Sequence, residues 1–207
     1  MKKLNFIIKY GLALLLLSFY SCESWLNVTP SDRLSEEMLF NDREGFVKAL
    51  NGVYIELNTN ELYGRNLTAG ALDVMGQYYS VASSSHAFYN YGGLVYTGND
   101  EKALFDNMWQ KCYAVIACCN TIIEKCDENK AGLSPVWKGS IKGEALALRA
   151  MLHFDMLRLF APAPVNDDGQ AYVPYVETYP DIHPESIKVT PFLDKVVRDL
   201  VKAKSLV

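Results

Sequence analysis

Catalytic signatures are the first thing this chain lacks. No G-x-S-x-G element, no H-E-x-x-H pair and no phosphate-cradling glycine loop occurs in its 207 residues. The acidic pairs Glu36/Glu37 and Asp167/Asp168 are sequence neighbours, whereas a glycosidase needs two carboxyls several ångströms apart on either side of a sugar. Asp167, Asp168 and Gly169 read better as a turn. The composition therefore points away from an enzyme. Basic charge is also scarce, with 20 Lys and Arg against 24 Asp and Glu, a net charge of −4. No basic stripe interleaved with aromatics occurs, which argues against a nucleic-acid partner.

Long apolar runs are missing as well. The longest candidate, Tyr10 to Tyr20, is eleven residues, and a membrane-spanning helix needs about 20. With Lys2, Lys3 and Lys9 before it, this run reads as a cleavable leader, residues 1–21. Ser21 directly before Cys22 fits a bacterial lipoprotein cleavage site, so Cys22 is the expected lipidation residue, carrying palmitate-type acyl chains that hold the chain to a bilayer. An ordinary signal peptide followed by a chance cysteine is the alternative. Loss of the leader removes three lysines and no acids, which leaves 17 bases against 24 acids and a net charge of −7.

The other cysteines do not supply chemistry. Cys112, Cys119 and Cys126 are seven residues apart, with Cys118 beside the second. On a helix such residues share a face but stand about 10.5 Å apart along the axis, beyond the ~7 Å limit on Cα separation in a disulfide. None of His86, His153 and His183 falls at a ligand spacing beside them, so no metal site and no cofactor is expected. They read as small core residues.

What the chain has is helical periodicity. Phe105, Trp109, Cys112, Ile116, Cys119, Ile123 and Cys126 step by four and three along one face. Asn129, Gly132 and Pro135 mark the turn that follows. In the next helix Ile141, Ala145, Leu148, Leu152, Met156 and Leu159 make one face, and Ala147, Ala150, Met151, Phe154 and Leu157 make the opposite one. A helix apolar on nearly every side belongs between other helices, with Pro162 rather than a glycine cap ending it. A further helix is expected after Val189, capped by Thr190, with Pro191 in its first turn and Phe192, Val196, Val197 and Leu200 as an apolar face left open. Upstream, Asn41 and Glu44 suit a capping box ahead of Phe46, Leu50, Val53 and Leu57.

The residues Gly143, Glu144, Ala145, Arg149, Ala150, Phe154, Asp155, Leu157, Arg158, Leu159 and Phe160 resemble the signature helix of the SusD/RagB family of outer-membrane nutrient-binding lipoproteins. The stretch from Cys22 to Tyr54, with Pro30 and the Asn51, Gly52, Val53, Tyr54 element, is similar to the start of the mature proteins of that family. The resemblance implies an all-α fold: a SusD-like, tetratricopeptide-like helical-repeat array with long irregular loops. It implies residues 22–35 as a tether and 36–207 as the amino-terminal helical domain. Family members are more than twice as long, so the array is expected to be incomplete at the carboxy terminus. It further implies a non-catalytic, surface-exposed protein lipid-anchored in the cell outer membrane, partnering a TonB-dependent, SusC-like transporter and binding a polysaccharide or oligosaccharide. A lipid-anchored helical scaffold for peptide or protein is the second reading.

Gln77 to Asp100 differs in kind. It concentrates tyrosines among serines and glycines without a sustained helical period, as long functional loops do. Tyr78, Tyr89, Tyr91 and Tyr96 are the candidate ligand-binding rings, with Asp73, Asn99 and Arg65 as polar companions. The family offers no invariant ligand motif to carry over. A hairpin or an irregular packing layer whose rings cover the helices is the alternative.

Overall fold

The structure, a computed structural model, describes residues 36–181 and 183–207. The expected leader, the tether and the candidate lipidation residue Cys22 lie outside the described residues. Eight of the described elements matter below. After a single turn, α1 (Glu36–Leu39), come α2 (Arg43–Leu57), the short α3 (Ala71–Met75) and α4 (Tyr89–Gly92), the long α5 (Asn99–Glu128) and α6 (Pro135–Phe160), then strands β1 (Ala171–Pro174) and β2 (Ser186–Lys188), and finally α7 (Val189–Leu206).

The fold is predominantly helical, as expected, and α6 is its centre. Its partners can be read from paired residues. Trp109 meets Phe160, the Cys112 thiol approaches the Leu152 carbonyl at 3.8 Å, and Lys142 pairs with Asp127, so α5 and α6 run antiparallel. Arg149 meets Asp199 and His153 meets Phe192, so α7 returns antiparallel on another side. The Arg43 guanidinium lies 4.4 Å over the Trp137 ring and the Tyr54 hydroxyl donates to Glu144 at 2.5 Å, which sets α2 parallel to α6. A helix covered by three others has few faces left for water, and this is the physical reason for its apolar composition.

Local chemistry places the ends. At α2 the cap is Asp42, whose Oδ1 accepts from Gly45 N at 2.8 Å. The expected Asn41 is one residue too early, because only Asp42 has the extended backbone of a cap. Phe46, Leu50, Val53 and Leu57 then form the buried face, as the spacing predicts. Helix α5 ends at Asn129 in the left-handed region (φ 48°), where its Oδ1 accepts from Leu133 N at 2.8 Å. An asparagine does here what glycine often does. Ser134 caps α6 with Pro135 in its first turn, and Ala161 leaves it in an extended conformation before Pro162. Helix α7 starts at Val189 with no side-chain cap, so the expected cap Thr190 lies inside the first turn instead.

The seam of α5 is rotated slightly from the expected one. Met108, Cys112, Val115, Cys119, Ile122 and Cys126 lie on its fully buried line, while Phe105, Trp109 and Ile123 flank it half-buried. Cys118 is exposed, and all four described cysteines are unpaired. On α6, Met151 and Phe154 stay exposed, and the Arg158 guanidinium lies 5.1 Å over the Phe154 ring. On α7 the expected open face splits. Phe192 and Val196 are buried against α6, leaving Val197, Leu200 and Val201 exposed.

Helices α6 and α7 come unusually close because two glycines face α7. A Cβ on Gly139 would stand 2.6 Å from the Leu206 carbonyl oxygen, and one on Gly143 3.1 Å from that of Ala203. Neither contact tolerates a side chain without the helices separating. The hairpin β1–β2 is antiparallel, pairing Val173 with Ile187 and Pro174 with Ser186. The sequence offers a hairpin only as an alternative within Gln77 to Asp100, and the strands lie elsewhere, at Ala171–Pro174 and Ser186–Lys188.

Candidate functional site

Two groups of polar and aromatic side chains stand out, and only one of them faces solvent. The first is inside. Arg149 of α6 is 4% exposed and Asp199 of α7 is 1% exposed. The guanidinium donates to Asp199 Oδ2 from Nε at 2.8 Å and from Nη2 at 2.6 Å, and Nη1 donates to Asn120 Oδ1 at 2.8 Å and to the Glu177 carbonyl at 3.2 Å. The Tyr175 hydroxyl donates to the same carboxylate oxygen at 2.7 Å. Burial by itself would raise the Asp199 carboxyl, but Arg149 and these hydrogen bonds outweigh it and hold the group below its usual range.

One turn further along α6, His153 has no exposure at all. Its Nε2 accepts from Val176 N at 3.0 Å, so Nδ1 carries the proton and donates to the Arg149 carbonyl at 2.9 Å. The ring stacks on Tyr175 with centroids 3.9 Å apart. Burial pushes its pKa down to about 3, so it is a neutral imidazole at physiological pH. Every strong polar atom of this cluster has a partner and none opens to solvent. It therefore locks α5, α6, α7 and the segment after β1 together rather than receiving a ligand. Arg149 and His153 of α6 are thus structural residues.

The second group is the tyrosine-rich segment. Gln77, at φ 59°, turns the chain after α3 and donates from Nε2 to the Gly92 carbonyl at 2.9 Å and the Val74 carbonyl at 3.2 Å, tying the segment's two ends together. Asn90 donates to Glu101 Oε1 at 2.6 Å, which lowers the Glu101 carboxyl and ties α4 to the start of α5. Between these ties lies a recess of about 360 Å³, lined by Gln77, Tyr79, Ser80, Tyr89, Asn90 and Val95 among others. Aromatic faces beside amide and hydroxyl groups suit a polyhydroxylated ligand.

The candidate rings divide between the two uses foreseen for them. Tyr78 is 83% exposed and Tyr89 is 42% exposed, and Tyr89 lines the recess. Tyr91 is only 2% exposed, which removes it from any ligand surface. Its ring packs edge-on against Phe88 and Phe105, its hydroxyl donates to the Asp100 carbonyl at 3.3 Å, and burial pushes its pKa up to about 12. Tyr96 is half-buried, perpendicular to Phe105 at 5.4 Å. Asp73 is half-buried on α3, and Asn99 is exposed as the first residue of α5, neither of them lining the recess. The Arg65 guanidinium lies 5.6 Å over the Phe88 ring. Tyr79, Gln77 and Asn90 were missing from the expected set. Tyr79 was indistinguishable in sequence from its neighbour, and only the fold turns it into the recess, where its hydroxyl donates to the Gly70 carbonyl at 3.2 Å.

Comparison with known proteins agrees with this architecture. A SusD-like family model, described as "Starch-binding associating with outer membrane", matches residues 24–207. SusD-like protein P2 of Formosa agariphila is 25% identical over 170 residues, covering 80% of this chain and 31% of its own length. SusD-like protein P25 of the same organism is 24% identical over 178 residues, with 78% and 31% covered. Among solved structures, a protein of Bacteroides vulgatus superposes with a TM-score of 0.64 at 25% identity over 80% of this chain and 37% of its own. A SusD-like carbohydrate binding protein of that species gives 0.65 at 23% identity over 81% and 36%. The chain thus spans about a third of the length of the relatives it matches. With most of its residues inside the family model and its fold shared with solved members, the chain belongs to the SusD-like family of the SusD/RagB class.

Proposed function

We propose that this chain is a non-catalytic glycan-binding protein of the outer-membrane surface, anchored through lipid on Cys22, that delivers its ligand to a TonB-dependent, SusC-like transporter. The observation that carries the glycan reading is the exposed ring of Tyr89 on the amide- and hydroxyl-lined recess, with the exposed ring of Tyr78 next in sequence to the lining residues Gln77 and Tyr79. Flat rings with polar neighbours recognise the apolar face and hydroxyl rim of a sugar at small entropic cost. The family description and the carbohydrate-binding relative point the same way.

Affinity electrophoresis of the purified chain through gels containing starch or other neutral polysaccharides tests this. Retardation is expected, reduced in Tyr89→Ala and in Tyr78→Ala without a change in thermal midpoint. Retention on an immobilised peptide library with no polysaccharide binding would replace the glycan with a peptide. The anchor has its own test: fatty-acid labelling is expected to mark the protein and to vanish in Cys22→Ala, which moves to the soluble fraction.

A further inference from the structure

A larger cleft lies between α5 and the hairpin, with a volume of about 760 Å³, and it shares no lining residue with the recess. Its floor is one face of α5. Trp109 and Tyr113 stand at one end, with ring centroids 4.9 Å apart, and Thr121 at the other, while the small residues Ala114 and Ala117 leave the space between them. The twelve helical steps from Trp109 to Thr121 make this floor about 18 Å long. The opposite wall comes from Tyr172 and Pro174 of β1, Thr178 and Tyr179 after it, and Ser186 of β2.

The two walls are fixed relative to each other by hydrogen bonds within the protein. Asn120 donates to the Val176 carbonyl at 3.1 Å and the Thr178 carbonyl at 3.4 Å, and the Tyr113 hydroxyl donates to the Pro174 carbonyl at 2.8 Å. These bonds fix the loop on α5, while the small side chains of Ala114 and Ala117 leave the gap between them unfilled. Preformed walls lower the ordering cost of binding.

From this geometry we infer that the cleft is a second carbohydrate site, taking a short stretch of neutral oligosaccharide along α5. Charge and chemistry choose the occupant. Among the described lining residues Asp181 is the one charged side chain, and none is Lys, Arg or His. An anionic chain such as a uronic acid polymer would meet a carboxylate and no counter-charge, while a neutral sugar meets tyrosine and tryptophan faces with threonine and serine hydroxyls at the rim. The elongated floor suits linked rings better than a single one. The inference takes its ligand class from the glycan reading above but places it on different residues.

Cys118 provides a reporter, because it is exposed and lines the cleft while Cys112, Cys119 and Cys126 are buried. The experiment uses the full chain with neutral gluco-, manno- and xylo-oligosaccharides, and with oligogalacturonate as the anionic probe. N-ethylmaleimide labelling of Cys118 is followed by peptide mass mapping. A bound neutral oligosaccharide is expected to slow labelling by about tenfold, as a site more than nine-tenths occupied requires. Oligogalacturonate is expected to leave it unchanged. Ala117→Leu, which fills the cleft from its floor, should abolish the protection, as should Tyr179→Ala on the opposite wall. Tyr89→Ala should not. Two variants on separate walls guard against one that misfolds, and circular dichroism at the same temperature checks both. Protection that survives Ala117→Leu, or that appears with oligogalacturonate instead, would overturn the inference. Sugar binding that is lost in Tyr89→Ala with Cys118 labelled at an unchanged rate would overturn it while leaving the glycan reading intact.

Discussion

The buried ion pair between α6 and α7 makes the sharpest quantitative test, because its two halves are not equivalent. Removing one member of a buried pair costs about 3–5 kcal/mol, most of it from the charge left behind. In Arg149→Met the survivor is Asp199, which keeps the Tyr175 hydroxyl on Oδ2 at 2.7 Å and the Arg198 guanidinium on Oδ1 at 3.0 Å. A carboxylate with a second cation already in place places the loss near the lower bound, about 3 kcal/mol. In Asp199→Leu the survivor is a guanidinium 4% exposed, left with Asn120 Oδ1 and the Glu177 carbonyl and no carboxylate hydrogen-bonded to it. That places the loss near the upper bound, about 5 kcal/mol. The double variant leaves no stranded charge, only Asn120 Oδ1 and the Glu177 carbonyl without the Arg149 donor and the Tyr175 hydroxyl with its longer bond to the Lys195 carbonyl, at about 1–3 kcal/mol. Urea unfolding with a slope of about 2 kcal/mol/M converts these to midpoint shifts of about 1.5 M, 2.5 M and 1 M. Sodium chloride should leave the order intact, since buried pairs are little screened. An Arg149→Met loss equal to or larger than that of Asp199→Leu would refute the assignment of Arg198 as the second counter-ion, and losses that simply add in the double variant would refute the coupling of Arg149 to Asp199.

Acid should destabilise the fold through His153. Its pKa is about 3 when folded against an ordinary value of about 6.5, so the unfolded chain binds the extra proton, stability is full above pH 6.5 and falls as pH drops, by about 2.5 kcal/mol at pH 4.5, and His153→Gln should remove this slope in thermal scans. The depressed Asp199 carboxyl adds a loss of the same sign at lower pH. Gly139→Val should lower stability by about 1–3 kcal/mol, since its Cβ would meet the Leu206 carbonyl, and urea midpoints measure it. Tyr91→Ala should cost about 3–5 kcal/mol while Tyr78→Ala costs under about 0.5 kcal/mol, a contrast that calorimetry resolves.

The helices could be read in advance because their signal is local. Periodicity along α2, α5 and α6 reports directly which face meets the core, and Pro135, Asn129 and Pro162 mark boundaries through backbone chemistry that needs no partner. The cap of α2 lies one residue past the expected one because Asn41 and Asp42 both carry capping oxygens and the folded backbone chooses between them, whereas α7 begins at Val189 with no side-chain cap, so the hydroxyl of Thr190 is not a start signal there. The hairpin was missed for a similar reason. Strands of four and three residues, one containing Pro174 and joined by a long loop, carry no alternation long enough to register.

What sequence spacing cannot carry is the difference between two tyrosines on one short helix. Tyr89 and Tyr91 are two residues apart on α4, so they point to different sides of a single turn, and whichever side faces α5 becomes core. Phe105 decides it. Its ring receives both Tyr91 and Tyr96 and then touches Phe160, which touches Trp109, so a continuous line of rings runs from the tyrosine-rich segment across α5 and α6 to the mouth of the large cleft. Two of the segment's five tyrosines, Tyr91 and Tyr96, therefore anchor it, and Tyr78, Tyr79 and Tyr89 are displayed on the backbone so held. A ring can be exposed at a fixed position only where its neighbours immobilise the backbone that carries it. Packing and ligand display, two alternatives on the sequence, are successive uses of one aromatic stretch in the fold.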